Sequence, residues 1–112
     1  MAEKTPSPSS DVKPPEACDS MADVRAGVDH LDHQLVALLA KRQGYMEAAA
    51  RIKSDFETVR VPWRIEQVVE NVLAEAEKQG LSPRIAEPVW RLLIEQSIAH
   101  EAEIWKMLRR NN

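Results

Sequence analysis

The residues Val28, Leu31, Leu35, Leu38, Arg42, Tyr45, Ala49 and Ile52 recur at alternating spacings of three and four. That rhythm draws a single stripe along an α-helix, and nothing within the stretch breaks it. Gly27 and Gly44 weaken such a helix without stopping it. Ser20 or Asp23 supplies the cap at its start, and good helix formers carry it to about Ser54. An element of roughly 33 residues is about 50 Å long. A chain this small has too little else to cover it. The stripe therefore predicts an intertwined homodimer in which two long helices pack together, each flanked by elements of both subunits.

One position of the stripe is a permanent cation. The guanidinium of Arg42 cannot shed its proton to escape burial, so it requires a partner anion from the protein or from a ligand. A second stripe, Ile94, Ile98, Glu101, Trp105 and Leu108, carries the opposite defect, with Glu101 in an apolar slot. Two ionisable groups on faces meant for burial point to a polar site inside a helical bundle.

The remaining chain completes an all-α, three-helix reading. Apolar residues make up 44% of the sequence, glycines number three, and β-branched runs are nearly absent. Residues 1–20 hold four of the seven prolines and no apolar period, which reads as a solvated, disordered tail ahead of a helical domain over 21–110. A joint at Asp55 to Pro62 leads into a second helix over Trp63 to Gln79, which Gly80 ends. Ser82 and Pro83 open a third helix that runs to about Arg109, and Pro88 inside it predicts a short preliminary turn or a kink.

Several function classes fall away. The net charge of −3 and the absence of a basic stripe argue against nucleic acid. No apolar run reaches the roughly 20 residues of a membrane span. The N-terminus lacks the hydrophobic segment of a secretion signal, and the single Cys18 fits a reducing compartment, so the expected location is cytoplasmic. His30, His33 and His100 have surface-like spacing, and no metal or cofactor is expected.

A local group of cations remains. Arg42 and Lys53 lie on one helix face about 16 Å apart, with Ala49 and Ala50 leaving a hollow between them. Arg25 stands about 25 Å before Arg42 along the axis, too far to share one metabolite unless it comes from the partner subunit. Arg64 opens the second helix and adds another positive charge. Each has a plainer reading: Arg42 as a register-setting residue paired with a glutamate, Lys53 as a solvated charge at a helix C-terminus, Arg25 and Arg64 as surface residues, Glu101 as the counter-ion of a buried arginine.

Taken together, the stretch ADVRAGVDHLDHQLVALLAKRQGYMEAAARIK, then VPWRIEQVV, then LLIEQSIAHEAEIW resembles the all-helical chorismate mutases and the related isochorismate-pyruvate lyases, over about Met21 to Arg109. The resemblance implies a type II-like homodimer with shared active sites that takes a small dianionic substrate without a cofactor. It assigns Arg25 of the partner chain and Arg42 to the two substrate carboxylates, and Lys53 to a carboxylate and the ether oxygen. Arg64 adds positive potential, Ser97 binds a carboxylate, and Glu101 faces the ether oxygen from the other side. Such a pericyclic step needs only a shape that selects the reactive conformer and donors aimed where charge grows.

Two positions depart from the usual mutase pattern and a third keeps it. Glu101 stands where bacterial members usually have glutamine, and it donates a hydrogen bond only when protonated. Ile65 follows Arg64 where many mutases carry a glutamate, a lyase-like feature that the opening PPEAC…MADVR shares. Ser97 matches the mutases. The expected activity is conversion of chorismate to prephenate, with isochorismate-pyruvate lyase activity, or a non-catalytic metabolite-binding dimer, as alternatives.

Overall fold

The structure is a computed structural model and describes residues 12–110. Three α-helices dominate it: α1 (Met21–Ile52), α2 (Pro62–Gln79) and α3 (Pro83–Arg110), with 3₁₀ turns at Pro15–Ala17 and Phe56–Thr58. There is no strand among the described residues, and no helix is long and apolar enough to cross a membrane. The chain divides after Arg42 into two compact units.

The first unit is the start of α1 and the turn ahead of it. Ser20 Oγ accepts from the Asp23 amide at 3.1 Å, which satisfies one of the free N–H groups of the first turn. The Asp23 carboxylate in turn accepts from the Asp19 amide at 3.1 Å and from Lys13 Nζ at 3.2 Å. Residues 1–11 of the expected tail lie outside the described residues. Within 12–20, the chain forms the Pro15–Ala17 turn, closed by the Ala17 amide on Pro14 O at 2.9 Å.

The second unit runs from Gln43 to the C-terminus and contains the buried core. Asp55 caps the Phe56–Thr58 turn through the Glu57 amide, and Val59 just beyond it is buried. Pro62 occupies the first helical position of α2, where its missing N–H costs nothing. Gly80 ends α2 at φ 77°, and the Leu81 amide folds back onto Ala76 O at 2.8 Å. Ser82 then caps α3 through the Arg84 amide.

The short joint makes α2 and α3 a helical hairpin. Val69 and Ala76 from α2 and Ala86 and Ile94 from α3 are buried. Arg91 grips Glu66 and Glu87, while Arg60 forms a two-point pair with Glu95, so 60 meets 95 and 66 meets 91 as antiparallel packing requires.

Helix α3 begins at Pro83 and passes through Pro88 without a preliminary turn. Pro88 withholds one N–H from the Arg84 carbonyl, and both residues are exposed, so the lost bond falls on the open side of the helix. Among the described residues nothing covers the α1 stripe: Leu35, Leu38, Tyr45 and Ile52 are 51%, 59%, 75% and 73% exposed. Ala50 is the buried residue of α1.

Candidate active site

The apolar slot in α3 does bury its carboxylate. Glu101 is 4% exposed, and the counter-charge is Lys53, whose Nζ lies 2.7 Å from Glu101 Oε2. The ammonium approaches that oxygen off the hydrogen-bonding direction, so Oε2 has charge compensation without a well-aligned hydrogen bond. Lys53 Nζ also lies 3.5 Å from Val59 O, and its side chain keeps 27% of its surface open. A buried carboxylate thus faces an ammonium that still reaches solvent, an arrangement that costs desolvation and returns an oriented, partly accessible cation.

The location follows from the helix ends. Lys53 is the first residue past α1, and its own amide closes the last turn on Ala49 O at 2.8 Å. The alternatives for Glu101 were a buried arginine or the substrate; the partner found is the lysine. Ser97 stands one turn before Glu101 on α3 and is half-buried.

The end of α1 is held from α3. Trp105 Nε1 donates to Lys53 O at 2.9 Å. Arg109 Nη1 donates to Ala50 O at 3.1 Å and to Trp105 O at 3.2 Å, and Nη2 donates to Lys53 O. The guanidinium lies 4.1 Å from the Trp105 ring centre, and that ring meets Phe56 edge-on at 5.2 Å. Nearby, His100 Nε2 sits 2.6 Å from Glu47 Oε2, and this contact, followed by the Gln43 amide, holds the Glu47 carboxyl below its usual range.

The other expected site residues stand as follows. Arg64 is exposed in the first turn of α2 and donates to Gln67 Oε1 at 2.7 Å, so its charge is engaged on its own helix. Ile65 beside it is half-buried. Arg25 is exposed near the start of α1, and Arg42 is half-buried at the end of the first unit. No group of three His, Cys, Asp or Glu side chains gathers as a metal cage among the described residues.

Arg109 escaped the sequence reading. The signal was present as spacing, since Glu101, Trp105 and Arg109 follow one another at intervals of four on one face of α3.

Residues 24–102 match the family model described as chorismate mutase type II. The chain is also similar to the isochorismate pyruvate lyase of Pseudomonas aeruginosa, 30% identical over 98 residues that cover 88% of this chain and 97% of that protein. A further similarity, 30% identity over 84 residues, is to the T-protein of Haemophilus influenzae and covers 74% of this chain but 22% of that protein.

Proposed function

The chain belongs to the chorismate mutase type II family, and from that membership we propose that it rearranges chorismate to prephenate in the cytoplasm as a homodimer with shared sites. The family and its relatives support chorismate mutase or related lyase activity; the choice of the mutase reaction is our reading. The observation that carries it is the Lys53–Glu101 pair, a cation and an acid 2.7 Å apart with Ser97 one turn away.

In the rearrangement the ether C–O bond breaks as a C–C bond forms, and no atom enters or leaves. Negative charge grows on the ether oxygen as the bond stretches. Lys53 supplies a donor for that oxygen, and Glu101 in its acid form supplies the opposing one. The substrate must therefore enter between two side chains that hold each other in the free protein. Arg42, Arg64 and Ser97, with Arg25 of the partner chain, are the proposed carboxylate-binding groups, and Ile65 is the proposed apolar wall.

A second reading is favoured by two observations. Ile65 leaves the ring hydroxyl without the glutamate many mutases offer, and the likeness to the isochorismate pyruvate lyase runs along nearly its whole length. In that reaction the same C–O bond breaks while a ring hydrogen moves to the departing enolpyruvyl group, giving salicylate and pyruvate within a salicylate pathway.

The purified protein supplied with chorismate and, separately, isochorismate distinguishes the two. Prephenate at the higher kcat/KM supports the mutase, and salicylate with pyruvate at the higher kcat/KM replaces it with the lyase. Turnover of neither substrate, in a folded dimer, removes both.

A further inference from the structure

The C-terminal end of α1 is tied off in an unusual way. The last carbonyls of a helix have no partner within it and are commonly met by a glycine turn or by water. Here Ala50 O and Lys53 O are met by Arg109 and Trp105, side chains from the far end of α3. The guanidinium is itself fixed, stacked 4.1 Å over the Trp105 ring and bonded to Trp105 O. Trp105 is fixed in turn by its edge against Phe56.

These contacts converge on one residue. Trp105 and Arg109 hold the Lys53 main chain from behind, and Glu101 holds its ammonium in front, so three successive turns of α3 grip a single lysine. A lysine side chain has four rotatable bonds, and its rigid reference is its own backbone. A catalytic group misplaced by about 1 Å loses on the order of 100-fold in rate. The positive guanidinium also offsets the partial negative charge at the end of α1, which otherwise weakens the attraction of this corner for an anion.

The geometry points to Arg109 and Trp105 as positioning residues that set the Lys53 ammonium for the reacting oxygen, acting through the α1 terminus and without touching substrate. The kinetic consequence rests on the proposed chorismate reaction; the placement of Lys53 does not.

Arg109→Leu, Trp105→Phe, Lys53→Ala and the double variant Arg109→Leu/Lys53→Ala test this. Trp105→Phe keeps an aromatic ring beneath the guanidinium and deletes the N–H, so it remains informative if Arg109→Leu fails to fold. Each variant is first checked for helicity and subunit state. Arg109→Leu is expected to lower kcat by about 10-fold or more with KM changed by only about twofold, and Arg109→Lys to recover part of it. The double variant is expected to be no slower than Lys53→Ala alone, because the two changes act through one group.

Labelling with an amine-reactive reagent, read lysine by lysine by mass spectrometry, provides a second readout. Lys53 is expected to label several-fold faster in Arg109→Leu and Trp105→Phe, with the exposed Lys41 and Lys78 unchanged. Additive rate losses in the double variant, or Lys53 labelling equal to wild type, overturn the inference. Should wild-type protein turn over neither substrate, the proposed reaction fails and the labelling alone decides the positioning role.

Discussion

Glu101 and Lys53 depend on each other unequally. The Glu101 side chain is 5% exposed, whereas that of Lys53 keeps 27% of its surface open. Removing the lysine leaves a buried charge uncompensated, while removing the acid leaves a cation that water still reaches. Lys53→Ala should therefore cost about 2–4 kcal/mol, below the roughly 3–5 kcal/mol of a fully buried pair. Lys53→Ala/Glu101→Gln should recover most of that loss in urea unfolding. The same pair sets an expectation for proton traffic. A bound dianion claims the ammonium, and Glu101 beside it must carry a proton to donate. Calorimetry with a bicyclic dicarboxylate transition-state mimic, in two buffers of different ionisation enthalpy, should register proton uptake on binding. Glu101→Gln, which donates an N–H without acquiring a proton, should abolish that uptake. Equal heats in the two buffers for wild type would contradict the assigned role. The sequence exposed the oddity of Glu101, because a charge in an apolar stripe is visible as spacing. Spacing alone could not reveal that Lys53 is the partner, since the two meet only through the packing of the end of α1 against α3; the family resemblance did set both at one ether oxygen.

At the scale of elements, legibility tracked how local the chemistry is. Ser20, Pro62, Gly80 and Ser82 mark their helix ends by interactions within a few residues, and all four act where the sequence placed them. The end of α1 was marked only as a place where the stripe runs out, because its cap arrives from Arg109, 59 positions beyond Ala50. Of the two readings of Pro88, the preliminary turn is excluded because α3 already begins at Pro83, and the one bond withheld between exposed residues does not divide the helix. Two measurements bear on these ends. Gly80 sits at φ 77°, a region where a side chain meets its own backbone, so Gly80→Ala should lower stability by about 1 kcal/mol in urea unfolding. The Asp23 carboxyl is held at about 2, below its ordinary 3.8, by the Asp19 amide foremost and by Lys13. A depressed carboxyl contributes in full above its ordinary value and loses that contribution as pH falls through the folded one. Amide exchange at Ser20 to Val24 should accordingly lose protection relative to Asp23→Asn between about pH 4 and pH 2.

For the whole molecule, the unanswered demand is the α1 stripe. Val28, Leu31, Leu35 and Leu38 are each about half exposed, and Tyr45 and Ile52 are exposed by three quarters. A row of large apolar side chains along one helix is the signature of a surface that another helix covers. The proposed homodimer supplies that helix as a second α1 and brings Arg25 of one subunit to the Lys53 and Arg42 of the other. A leucine in the middle of the stripe makes the first consequence testable. Leu35→Glu places like charges opposite each other across the proposed seam and should convert the dimer to monomer in sedimentation, with loss of turnover. The second consequence concerns sharing. Arg25→Ala and Arg42→Ala proteins should each be inactive alone, because each site lacks one carboxylate partner. Mixed and allowed to exchange subunits, they form heterodimers in which one site has lost both arginines and the other retains both. Full exchange of equal amounts makes half of the dimers mixed, each with one intact site of two, so activity should return to about one quarter of wild type. No recovery, after exchange is demonstrated with a mass-tagged subunit, means that each site is built within one chain and that Arg25 serves another purpose.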